Sequence, residues 1–71
     1  MTKEEYRALL TRNNITQAQV GWMCGVNVRQ ARSWALGEYP VPQYARLLLT
    51  AFDQGLLSPE WLLETVGSPP P

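Results

Sequence analysis

Two arginines, Arg29 and Arg32, stand three positions apart in the segment Asn27-Val28-Arg29-Gln30-Ala31-Arg32-Ser33, and no acidic residue occurs between Tyr6 and Gly37. A guanidinium carries a rigid fork of N–H donors that suits phosphates and paired acceptors. Two such groups with no carboxylate nearby form a cationic face that requires an explanation. On an arbitrary small helical protein the commoner explanation is a solvated helix face. Other chemistry has little to work with. The chain has no histidine, which removes the commonest general base and the usual triads. One cysteine without histidine does not make an ordinary zinc site, so no metal and no cofactor is expected. That cysteine, Cys24, has no basic neighbour to lower its pKa, and a buried inert thiol is the expectation. Gly21 and Gly25 do not form a glycine-rich phosphate loop. An enzyme is therefore not expected.

The elements that must hold the arginines can be drawn from capping and breaker signals. Thr2 with Glu5 three residues later is a capping-box pattern for a first helix ending near Asn13-Asn14, and Thr16 with Gln19 repeats it for a short second one. The inward side of that second helix would carry Val20, Gly21 and Cys24, and Gly25 would stop it. Asn27, with Gln30 three residues on, caps a third helix running to about Leu36, where Gly37 supplies the left-handed ending. At about 100° per residue, Ala31, Trp34 and Ala35 share one face of this helix, and Arg29, Arg32 and Ser33 the opposite one. Pro42 suits the first turn of a fourth helix that reaches about Asp53 and ends before Gly55. Ser58 and Pro59 read as the cap and first residue of a fifth. The expectation is an all-α fold, a bundle of about five short helices over residues 1–66, followed by an extended proline-rich tail over residues 67–71.

Length and composition agree with one small domain. At 71 residues, 45% of them apolar and three of them tryptophan, the chain can build a single core, although a domain this short buries only about 60% of its unfolded surface. The formal net charge is zero but unevenly spread: residues 1–37 hold five bases and two acids, residues 38–71 one base and four acids. A polyanion would meet the first half and avoid the second. A lone cysteine, the absence of a basic-then-apolar opening and apolar runs far below the roughly 20 residues of a bilayer span lead to a cytoplasmic expectation with no membrane partner.

The stretch Thr16-Gln17-Ala18-Gln19-Val20-Gly21, continued by Cys24-Gly25-Val26 and Trp34-Ala35-Leu36-Gly37, resembles the helix-turn-helix of lambda-repressor-like, Cro-like regulators of the xenobiotic-response-element type. The likeness covers roughly residues 5–57. It includes the glutamine opening the second helix, the small residue at Gly21, the turn glycine at Gly25 and Pro42 after the aromatic-to-glycine ending. The resemblance implies a sequence-specific DNA-binding repressor whose residues Asn27, Val28, Arg29, Arg32 and Ser33 face the major groove of double-stranded DNA. It places Thr16, Gln17, Gln30 and the segment after Gly37 near phosphates. The residue types suit such roles: arginine can bond guanine O6 and N7, valine can lie against a thymine methyl, and a helix N-terminus favours a phosphate. Two departures stand out. Trp22 and Met23 occupy positions that are usually polar in the family, and Glu38-Tyr39 replaces a stretch that often carries a cation.

A single recognition helix contacts few base pairs, so a symmetric homodimer on an inverted-repeat operator is expected, joined through the apolar C-terminal third with Leu57, Trp61 and Leu62 at the interface. The competing readings are a protein-interaction adaptor that keeps the fold and binds a second protein through Trp22, Met23 and the last helix, and an antitoxin that combines both activities.

Overall fold

Local backbone chemistry sets every helix boundary. The computed structural model describes residues 1–70, and in it the chain forms α1 (Lys3–Asn13), α2 (Gln17–Cys24), α3 (Val28–Leu36), α4 (Gln43–Asp53) and α5 (Pro59–Val66), with no strand among the described residues. Both expected capping boxes are present. The Glu5 and Gln19 amides donate to the Thr2 and Thr16 hydroxyls, and the Thr2 and Thr16 amides donate back to the Glu5 and Gln19 side chains. Asn27 Oδ1 accepts from the Gln30 amide at 2.8 Å, and Ser58 Oγ from the Trp61 amide at 3.0 Å. Each satisfies one of the N–H groups that a helix start leaves without a partner. Gly25 and Gly37 end α2 and α3 at φ of 73° and 77°, backbone that other L residues adopt only with strain. Pro42 sits one position earlier than expected, at the N-cap of α4, where no side-chain hydrogen bond is made. Its ring fixes φ but offers no acceptor.

The amphipathic stripes then meet in one core. Tyr6, Leu9 and Leu10 from α1, Val20 from α2, Ala31, Trp34 and Ala35 from α3, and Ala45 and Leu49 from α4 form a buried cluster. Trp34 is 1% exposed and stands edge-on to Tyr6, with ring centroids 6.1 Å apart at 84°. That arrangement places the positive ring edge of one aromatic on the negative face of the other. Arg12 at the end of α1 makes a fork with Asp53 at the end of α4, Nε to Oδ1 at 2.8 Å and Nη2 to Oδ2 at 2.6 Å, and Asn13 adds a third donor at 2.7 Å. α5 packs against α2. The radius of gyration is 11.2 Å, close to the roughly 11 Å of a compact chain this long. No helix among the described residues is long and apolar enough to cross a membrane.

Three sequence expectations are corrected by burial. Leu62, expected at an intermolecular surface, is 3% exposed and belongs to this chain's own interior. Leu57 is half-buried, and of the three named residues only Trp61, at 47%, is well exposed. Trp22 and Met23 are half-buried as well, Met23 against the core, so they do not stand out as a surface for a second protein. The reason is the return of α5, which lies over α2 and covers positions a shorter domain would leave open. Of the expected tail, residues 67–70 continue past α5 without helix, and Pro71 lies outside the described residues.

Candidate nucleic-acid interface

The outward side of α3 is assembled by the core that holds its inward side. Burial of Ala31, Trp34 and Ala35 fixes the rotation of the helix, which leaves Val28, Arg29, Arg32 and Leu36 exposed; Val28 is 44% and Leu36 50% accessible. Val28, Arg32 and Leu36 follow one another at four-residue spacing, so they form a single row along the helix with Arg29 beside it. The only ion pair among the described residues is Arg12–Asp53, so neither Arg29 nor Arg32 is neutralised by a carboxylate.

The turn between α2 and α3 holds the two helices closely. A Cβ added at Gly21 would lie 2.6 Å from the Val26 carbonyl oxygen, and the Val26 amide donates to the Gly21 carbonyl at 3.0 Å. Backbone thus meets backbone where the sequence has its small residue. Behind the turn, the Tyr6 hydroxyl lies 2.8 Å from Gln17 Oε1 and 3.1 Å from the Ala31 carbonyl, tying α1, α2 and α3 through one O–H group. Burial pushes the Tyr6 pKa up, so this group stays a donor. With its carbonyl oxygen engaged by Tyr6, Gln17 keeps its amide hydrogens for another acceptor. Tyr6 was not among the residues singled out by type and spacing, since nothing local marks a tyrosine hydroxyl as the link between three helices.

Not all expected site residues are brought together. Asn27 and Gln30 are exposed at the start of α3, but the Asn27 side-chain oxygen is occupied by its cap, leaving its amide group as the part able to donate. Thr16 is exposed, with its oxygen accepting from Gln19. Ser33 is the exception. Although its angle on the helix is opposite the core, it is 7% exposed, and its hydroxyl donates to the Gln30 carbonyl at 2.6 Å. Amides of Gly37, Glu38 and Tyr39 converge on its carbonyl oxygen, so the chain leaving α3 turns back onto this residue's backbone. Ser33 is removed from the outward set.

Neither a family model, a curated protein nor a solved structure matches this chain.

Two further cations join the site by position. Arg7, with Thr16 and Gln17, lines a shallow depression at the start of α2. Lys3 lies along the end of α3: a Cβ at Gly37 would come within 2.9 Å of its Cδ and 3.7 Å of its Nζ. They are four residues apart on α1, a spacing that places them on one helix face and could have been noticed in the sequence. Arg12, the remaining base of the first half, is committed to Asp53. Cys24 is half-buried and its thiol is pushed up to about 11 by burial, which fits a packing role.

Proposed function

We propose that this protein is a sequence-specific double-stranded-DNA-binding regulator of transcription, a repressor of phage or bacterial type, acting through α3 in the major groove. The observation that carries the reading is the outward row of α3: two guanidinium groups and two aliphatic side chains, without a carboxylate partner, on a helix held by a tight turn to the helix before it. An α-helix of this kind fits the major groove, where arginine reads guanine and apolar side chains meet thymine methyls. Asn27, Val28, Arg29 and Arg32 are the base-reading set. Thr16, Gln17 and Gln30 position the backbone, with Arg7 and Lys3 added as flanking cations for phosphate.

The acidic second half faces away from the polyanion in this reading, and a homodimer on an inverted-repeat operator supplies the second recognition helix. The exposed Trp61 of α5 is the anchor retained for that contact. The resemblance to lambda-repressor-like regulators supports the reading; the adaptor and antitoxin readings lose ground because Trp22 and Met23 are partly covered.

A salt titration of binding to random duplex DNA tests the proposal. Phosphate contacts release counterions, so log K should fall linearly with log salt with a slope near −0.9 per phosphate contacted. Four flanking and recognition cations on each chain predict a steep slope. Binding that is absent at 50 mM salt, or that does not respond to salt, contradicts it.

A further inference from the structure

α4 is apolar on two sides. Its inward side carries Ala45 and Leu49, both fully buried. At about 100° per residue, Tyr44, Leu47, Leu48 and Ala51 fall on a second stripe, about 100° wide, which is the width a helix ordinarily turns towards a packing partner. Of the other helices only α1 and α2 approach α4. Tyr44 and Leu47 are open to solvent, and Leu48 and Ala51 are half-buried.

The stripe continues past both helix ends. At its start, Tyr44 lines one depression with Tyr39, Pro40 and Pro42, and Asn27 and Gln30 form the far edge, so the strip ends where the DNA-facing surface begins. At its other end the Leu56 amide donates to the Ala51 carbonyl at 2.9 Å, which returns the chain to the last turn of α4. Leu56 at 72%, Tyr39 at 62% and Leu47 at 59% are the three most exposed large apolar side chains among the described residues, and all three lie on this strip. Single exposed apolar residues are ordinary, but a contiguous run of them marks an interaction surface.

Positions 44, 47, 48 and 51 are spaced by three, one and three residues, a pattern that is the same from either end. A two-fold contact needs this kind of self-complementarity. A second α4 laid antiparallel, with the axis between Leu47 and Leu48, brings Tyr44 against Ala51 and Leu47 against Leu48 of the second copy. Large then meets small, and the Tyr39 end of one copy meets the Leu56 end of the other. A parallel pair would set tyrosine on tyrosine and alanine on alanine. No residue of the strip is charged, so no like charges are forced together. A stable dimer covers about 20–30 residues a side, which the single side chain of Trp61 does not supply.

We infer that a second copy of this chain covers the α4 strip, with α4 packed antiparallel on α4 about a two-fold axis at Leu47 and Leu48. The inference rests on the homodimer reading and gives that dimer its central surface.

Sedimentation equilibrium of the intact protein at micromolar concentration, with and without a random duplex, tests it. Leu47→Glu brings two carboxylates to the axis and should raise the dimer Kd by roughly a hundredfold or more, while the helical circular dichroism is kept because Leu47 is outside the core. Leu56→Glu, outside any helix, should act in the same direction and carries the test if the first variant does not fold. The antiparallel register is read from a mixture of Tyr44→Glu and Ala51→Lys chains. These positions face each other only in an antiparallel pair and are about 10 Å apart along the helix in a parallel one, so the mixture should associate more tightly than either variant alone. A dimer indifferent to both glutamate variants would overturn the inference and leave the homodimer reading standing. A mixture no tighter than its components would overturn the antiparallel pairing, and a monomer under both conditions would end the inference and the homodimer reading together.

Discussion

Arg29 and Arg32 are the residues on which recognition turns in this account, and they should behave differently from Gln17. Arg29 stands on the exposed side of α3 with no carboxylate partner. A lost bidentate contact to a base costs about 1–3 kcal/mol of discrimination. Arg29→Ala should therefore reduce the ratio of operator to random-duplex binding by roughly that amount, measured on a site recovered by selection from a random library. Gln17→Ala should weaken binding to all duplexes about equally, as a phosphate contact would. An unchanged ratio for Arg29→Ala would remove it from the base-reading set. Ser33 illustrates what the helical angle does not convey. Its position opposite Ala31 was legible in the sequence, but its burial and the return of the Glu38 and Tyr39 amides to its carbonyl after the helix ends were not.

The helix ends themselves were legible because their causes are local. Thr2 with Glu5, Thr16 with Gln19, Asn27 ahead of Gln30 and Ser58 ahead of Pro59 each need only three or four neighbouring residues, and all four caps form as the spacing requires. The α2–α3 turn was legible in the same way through Gly21 and Gly25. Gly21 allows a sharp test, since glycine to alanine inside a helix ordinarily stabilises by about 0.5–1 kcal/mol. Here the new Cβ would stand 2.6 Å from a backbone oxygen that cannot swing aside. Gly21→Ala should instead lower stability by about 1–3 kcal/mol through overpacking, read from urea unfolding. A stabilised variant would show that the two helices are not in this contact. Trp34→Ala, at the centre of the α3 inward face, should cost about 3–5 kcal/mol, a large part of a small domain's stability, and circular dichroism melts would register it.

Across the whole molecule, ends far apart in sequence are held by Arg12, Asn13 and Asp53. No local pattern announces that contact, because it depends on α4 returning beside α1, just as the burial of Leu62 depends on α5 returning over α2. The Asp53 carboxylate is held at about 2 by its hydrogen bonds from Arg12 and Asn13, below its ordinary range. A carboxylate depressed on folding contributes stability that is complete above its unfolded pKa, about 3.9, and that is lost as pH falls towards 2. Thermal melts between pH 5 and pH 2 should thus show a steeper decline for the unaltered chain than for Asp53→Asn. Because the pair is exposed, the difference should be modest and should shrink with added salt. Parallel curves would mean that the fork does not persist in solution. The same scale governs assembly. With Leu62 buried inside one chain, dimerisation through Trp61 predicts that Trp61→Ser weakens self-association while the chain keeps its helical circular dichroism. Sedimentation equilibrium with and without DNA checks this, and a monomer bound one per site would exclude the symmetric arrangement.

The central claim is that the outward row of α3 meets DNA, and mapping backbone amide shifts on titration with a random duplex at low salt tests it most directly. The account predicts that amides of Thr16 and Gln17 and of Asn27 to Arg32 move together, saturate with DNA and return on adding salt, while those of α5 stay in place. Shifts confined to α5, or no shifts at 50 mM salt, would contradict it.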